Sequence, residues 1–235
     1  EPDGPAMGDR VPMSTMRNVI AERMTASLQE SAQLTLHTEV EAEALKRFRS
    51  ELKGSWEDSA GPVPSYTDLV VKAVALALPR HPLLNSSLVG NEIHVHDVVD
   101  VGVAVAVPDG LVVPVVRSAD ELPLSALASL TNALAGKAKD GGLAPSDVEA
   151  STFTVSALGS FGVDTFTPIL NAPNVGILGV GRLRESVAWV DGVAMPSSVM
   201  GLSLTIDHRV VDGAPGAAFL AEVAQLLAAP LRLVV

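Results

Sequence analysis

The sequence predicts an α/β domain in which a mixed β-sheet is flanked by helices. Three observations carry that reading. Segments whose apolar residues recur at period two are interspersed with segments at helical spacing, so strands and helices share one chain. Their order follows no regular βαβ period, and no internal repeat is visible, which points to a mixed sheet. With 235 residues that are 48% hydrophobic and only 3% aromatic, the chain can bury a sizeable core built mainly from Val, Leu, Ile and Ala.

The elements follow in order. Glu1 to Gly8 carry Pro, Gly, Ala and acids without periodicity, so residues 1–9 read as the end of a flexible linker and 10–235 as the domain. Met16, Ile20, Met24 and Leu28 recur every four residues, which predicts a helix capped by Ser14 or Thr15. Leu34 to Val40 alternates as a strand, Glu43 to Leu52 returns to a charged helix, and Gly54 to Pro64 is a loop. Thr67 is the expected cap of an apolar helix carrying Leu69, Val70, Ala73, Val74, Ala77 and Leu78, which stops at Pro79.

Short strands are expected around Ile93 and from Val99 to Val107, where valines alternate with Gly and Ala and another surface could approach closely. Pro108-Asp109-Gly110 makes a turn into a strand from Leu111 to Val116. Leu124 to Lys139 is helical, Thr152 to Ser156 and Val175 to Val180 are strands, and Val187 to Ala194 folds back around Asp191-Gly192. From Val199 to Ile206 the residues Met200, Leu202, Leu204 and Ile206 share one strand face, and His208 stays in phase with them, toward a partly buried wall. Asp212-Gly213 then opens a helix with Pro215 in its first turn.

Composition excludes several functions. A net charge of −11 argues against nucleic acid, whose phosphates demand clustered Lys and Arg. An anionic small ligand in a local basic pocket remains compatible. No apolar run is long enough to span a membrane and nothing resembles a signal peptide, so a cytoplasmic protein is expected. With no cysteine there is no disulfide, no thiolate metal site and no acyl-cysteine intermediate. His94 and His96 alternate with Ile93 and Val95 and have no nearby third ligand, so they read as a solvated strand face, with no metal bound. Gly176, Gly179 and Gly181 do not open a helix, so a dinucleotide site is not indicated.

The string Asp207-His208-Arg209-Val210-Val211-Asp212-Gly213 is the richest in chemistry. A histidine at a strand end, with a carboxylate bracing the next turn, can act as a general base. The same spacing also suits a hydrogen-bonded core histidine followed by a helix cap.

Joined to Thr152-Phe153-Thr154-Val155-Ser156-Ala157-Leu158-Gly159, Asn171-Ala172-Pro173 and Ile177-Leu178-Gly179-Val180-Gly181, that string resembles the catalytic domain of a dihydrolipoamide acyltransferase. This is the E2 core of 2-oxoacid dehydrogenase complexes, related in fold to chloramphenicol acetyltransferase. The likeness runs from about Arg10 to the C-terminus and includes the stretches from Arg17 to Met24 and from Val107 to Pro114.

The resemblance implies a chloramphenicol-acetyltransferase-like fold. It also implies transfer of an acyl group from S-acyl-dihydrolipoyl to coenzyme A, with His208 as base, Asp212 as the acid of the same motif and Ser156 as the oxyanion donor. A CoA thiol of pKa about 8.5 can be deprotonated by a neutral imidazole. If buried, Asp212 would want a cation, and Arg17 and Arg23 are the candidates. The lipoyl group is expected on a domain outside this sequence, which then reads as a core fragment, and the E1 and E3 components as partners through such missing domains. A homotrimer is implied, with His208 and Ser156 from neighbouring chains, and a larger cage joined through Leu231-Arg232-Leu233-Val234-Val235.

Ser31 to His37 looks like pyruvate- or acetoin-type enzymes, which favours acetyl. Three alternatives stand beside this reading. An antibiotic O-acetyltransferase would lack the Arg17 to Met24 motif. A serine hydrolase would want a Gly-x-Ser-x-Gly elbow around Ser156. The domain could also serve chiefly as a scaffold.

Overall fold

The computed structural model describes residues 6–56 and 61–234. The linker expected over 1–9 falls partly outside that range, as do part of the Gly54 to Pro64 loop and Val235. Helix α1 spans Thr15–Glu30, and Ser14 Oγ accepts from Arg17 N at its start. Strand β1 (Gln33–Glu41) follows, then α2 (Glu43–Ser55) and α3 (Tyr66–Ala77). The α3 cap is Ser65, two residues before the expected Thr67. Ser65 and Asp68 exchange hydrogen bonds in a capping box, which satisfies two otherwise orphaned N–H groups and starts the helix earlier.

Strands β2 (Ser86–Val89) and β3 (Glu92–Val95) form a separate hairpin. The expected strand from Val99 to Val107 divides at Ala104. Its first part, β4 (Val101–Val103), enters the main sheet, and β5 (Val105–Val107) leaves it to pair with β6 (Gly110–Val112). Beyond β7 (Val115–Val116) come α4 (Leu124–Lys139), at the predicted bounds, and the short α5 (Pro145–Val148). The chain then runs through β8 (Phe153–Ala157), β9 (Gly176–Val190), β10 (Val193–Asp207) and α6 (Gly213–Ala228).

Three separate strand signals in the last third of the chain turn out to be one long hairpin. β9 and β10 are 15 residues each, and Asp191 and Gly192 turn at φ +51° and +79°. Two successive positive φ values are what a tight hairpin demands, and Asp-Gly supplies them at low strain.

The sheet order is β1-β10-β9-β8-β4-β7. β8 runs parallel to β4 and β9 while the other pairs are antiparallel, which makes the sheet mixed. On one face lies the core, where Phe153, Phe219, Leu45, Leu69, Leu202 and Leu204 are fully buried. Each such side chain contributes about 1.5–3 kcal/mol. α6 sits close to the sheet here because a Cβ on Gly216 would already stand 3.1 Å from Ile206 and 3.3 Å from Leu36. Over the other face runs an irregular strap, residues 162–170, whose backbone leaves no room for a Cβ on Gly181 or Gly201.

Candidate active site

His208 follows the last residue of β10. Its neighbour Asp207 is buried and organises the corner. The Asp207 carbonyl accepts from Val210 N (2.9 Å) and Val211 N (3.0 Å), which turns the chain toward α6. Its carboxylate accepts from Arg209 Nη2 (2.6 Å), Nε (3.0 and 3.1 Å) and the Arg209 backbone N–H (3.1 Å). Burial works to raise the Asp207 carboxyl, but the Arg209 hydrogen bonds and charge outweigh it and hold the pKa below the usual carboxylate range. The residues on either side of His208 are thus tied to each other, and His208 N donates to Ala32 O at 2.8 Å.

The imidazole is not against a buried wall within this chain. Strand alternation stops at Asp207, where the turn begins, and the His208 side chain is 43% exposed. Asp212 heads α6 but makes no side-chain cap bond. Instead its Oδ1 stands 3.6 Å from His208 Nδ1, a close charge contact beyond hydrogen-bond distance. Neither expected arginine pairs with Asp212. Arg17 Nη2 donates to Asp109 O at 3.2 Å, Arg23 lies on an exposed part of α1, and Asp212 is itself 83% exposed, so it needs no buried countercharge.

Ser156 lies near the end of β8 and lines a cavity of about 880 Å³ together with Tyr66, Val105, Leu158, Phe161 and Arg182. It does not meet His208. Ser156 pairs with Gly179, Gly179 with Ser203, and His208 lies five residues beyond Ser203. At about 4.8 Å between strands and 3.3 Å per residue, the two Cα atoms are roughly 19 Å apart. Within one chain, therefore, Ser156 and His208 do not form a common site.

Among the described residues, no group of three or more His, Asp or Glu could hold a metal ion. His94 is exposed as expected, 3.5 Å from Glu92, whereas His96 is half-buried because its Nε2 shares a hydrogen bond with Ser87 Oγ (2.9 Å). No helix among them is long and apolar enough to cross a membrane. Sequence reasoning missed Asp207, Arg209 and the Ala32 corner. The first two flank His208 and were legible as a possible i, i+2 ion pair, while the third depends on contacts more than 170 residues apart in sequence.

The fold class follows from superposition. Chloramphenicol acetyltransferase matches with a TM-score of 0.56 at 15% identity over 88% of this chain and 94% of that one, a likeness of fold alone. Within that class, the chain belongs to the 2-oxoacid dehydrogenases acyltransferase (catalytic domain) family, which it matches over residues 5–235.

It is 41% identical over 224 residues to the dihydrolipoyllysine-residue acetyltransferase component of the acetoin cleaving system of Bacillus subtilis, covering 95% of this chain and 56% of that protein. It is 38% identical over 226 residues to the succinyltransferase component of the 2-oxoglutarate dehydrogenase complex of Bartonella vinsonii, covering 96% and 55%. The chain thus spans about half the length of the curated relatives it matches.

The dihydrolipoamide acetyltransferase of Azotobacter vinelandii superposes with a TM-score of 0.92 at 32% identity over 100% of both chains. It was solved in work on the role of a serine, a histidine and an asparagine in its catalytic mechanism. A structure of the cubic core of the pyruvate dehydrogenase multienzyme complex gives the same TM-score, identity and coverage.

Proposed function

We propose that the domain transfers an acetyl group between S-acetyl-dihydrolipoyl and coenzyme A, with each site built from two copies of the chain. The observation that carries this reading is one of spacing. The serine, histidine and asparagine studied in the Azotobacter enzyme stand at the same intervals along that chain as Ser156, His208 and Asp212 along this one.

In the proposed reaction, His208 Nε2 takes the proton of the CoA thiol, and the thiolate attacks the thioester carbonyl. Ser156 of a second copy donates a hydrogen bond to the oxyanion, a contribution of about 10² to 10³ in rate. Collapse expels the dihydrolipoyl thiolate, which recovers the proton from the imidazolium. Asp212 orients the ring through Nδ1. The cavity of about 880 Å³ beside Ser156 has the volume to take the end of a substrate arm.

The roughly 19 Å between half-sites supports an oligomer in which the Ser156 of one copy faces the His208 of the next, and a trimer is the proposed form. Two surface features suit further assembly. The β9-β10 tip exposes Val187, Trp189, Val190, Val193 and Met195, and the C-terminal turn buries Leu233 in its own chain but exposes Leu231 and Val234. The lipoyl group, and the E1 and E3 components, would reach this core through domains outside the sequence.

Acetyl is favoured over succinyl by the higher identity to the acetoin-system relative. Turnover of acetyl-, succinyl- and isobutyryl-CoA with dihydrolipoamide tests both levels of the proposal. A kcat/KM for acetyl-CoA at least about tenfold above the others is expected. A preference for succinyl-CoA would overturn the acyl assignment, and no transfer from any of the three would overturn the reaction.

A further inference from the structure

We infer that Gln33 is a positioning residue for the reaction, holding the corner on which His208 rests; the inference builds on the reading of His208 as the base. Gln33 opens β1, opposite Asp207 in the strand register. Its Nε2 lies 3.2 Å from Ser27 O, 3.1 Å from Ser27 Oγ and 3.0 Å from Ser31 Oγ, while its Oε1 accepts from Leu170 N at 3.3 Å. Ser27, itself buried, donates from Oγ to Leu170 O at 2.7 Å. One amide head therefore ties the last turn of α1, the first residue of β1 and the end of the strap into one block.

The residue just before it, Ala32, carries the contact to the base. Its carbonyl accepts from His208 N at 2.8 Å, and its N–H points at Asp207 Oδ1 at 3.4 Å. The strand end that delivers His208 is thus docked on the main chain next to Gln33, and what fixes Gln33 fixes the height and direction of the imidazole.

Only an amide serves every contact. A carboxylate could still accept from Leu170 N but would lose the donors facing Ser27 and Ser31, and an aliphatic side chain would lose both roles. A displacement of about 1 Å in a reacting group can cost as much as a hundredfold in rate, so the effect belongs in turnover and leaves CoA binding alone.

The test compares Gln33→Leu, Gln33→Glu, Thr35→Val and His208→Ala in steady-state transfer from acetyl-CoA to dihydrolipoamide, with thermal unfolding measured on each. Thr35→Val is the stability control. It removes the Thr35 Oγ1 to Thr205 Oγ1 bond (2.8 Å) further along the same strand pair and leaves the corner untouched. Both Gln33 variants should lose about tenfold to a hundredfold in kcat with KM for acetyl-CoA within about twofold, while Thr35→Val loses stability but not kcat.

The inference is overturned if a folded Gln33 variant turns over at the parent rate, or if Thr35→Val falls with them. Gln33→Glu decides the matter should Gln33→Leu not fold. Retained activity in His208→Ala would instead overturn the base assignment on which the inference rests. A silent His208→Ala beside fully active Gln33 variants would overturn the role of Gln33 alone.

Discussion

Two inactive variants should restore one another. Ser156→Ala removes the proposed oxyanion donor and is expected to lower kcat about 10² to 10³-fold. His208→Ala removes the base and is expected to cost about 10² to 10⁴-fold. Both losses should fall on kcat more than on KM for CoA, because both groups act on the transition state. Within one chain the two residues are separated by two strand spacings and five residues of strand, roughly 19 Å, more than their side chains can bridge.

If each site takes its serine from one copy and its histidine from the next, every trimeric ring that holds both variants contains an intact pair at about a third of its interfaces. Co-expressing the variants with different tags and isolating doubly tagged trimers should therefore raise specific activity from about 1% or less to about a third of the parent. Changing the expression ratio in either direction should lower the activity of the unseparated mixture but leave that of the doubly tagged trimers unchanged. Doubly tagged oligomers that stay at the level of the single variants would refute the shared-site geometry, because a site made within one chain gains nothing from mixing.

Two further outcomes follow from side-chain environment. Asp212→Asn should reduce kcat by less than about tenfold, because its carboxylate is 83% exposed and 3.6 Å from His208 Nδ1, where water and salt screen its charge. Steady-state kinetics beside His208→Ala checks this, and an equal loss in the two variants would mean that Asp212 does more than orient the ring.

Glu222 on α6 accepts from His81 Nε2 at 2.7 Å and pairs with Arg80. Burial pushes its carboxyl up, but the hydrogen bonds from Arg80 and His81 outweigh that and hold its pKa below the ordinary 4.5. A depressed folded pKa stabilises the protein above the unfolded value, and that stability is lost as pH falls through the folded one. Glu222→Gln should thus lower Tm by about 2–8 °C at neutral pH, the equivalent of about 1–2 kcal/mol. In calorimetry across pH the difference should shrink below about pH 4.5, and a difference that widens there would contradict the assignment.

What the sequence made legible was local. The α4 bounds, the Asp191-Gly192 turn and the passage from β10 through His208 to Asp212 depend on residues close together in the chain, where period, turn chemistry and caps act directly. The long hairpin was seen only in fragments. Its middle, to which the sequence assigns no element, carries Arg182, Arg184 and Glu185, where Arg182 pairs with Asp164 and Arg184 with Glu39 across the sheet face. Ser65 was missed as a cap because the signal is its partner Asp68, three residues on, and Thr67 stood nearer the apolar run.

The support beneath His208 was beyond any sequence window. The bonds from Ala32 to Asp207 and from Leu170 to Gln33 close over 175 and 137 residues, and no period or motif encodes a contact of that kind. The same logic accounts for the exposed imidazole. On the proposed reading, a base that meets a hydroxyl of another copy stays exposed in its own chain, and the strand alternation that pointed His208 inward ends one residue early, at Asp207. That carboxylate spends its acceptor capacity on Arg209 and Ala32, and it thereby fixes where the outward turn begins.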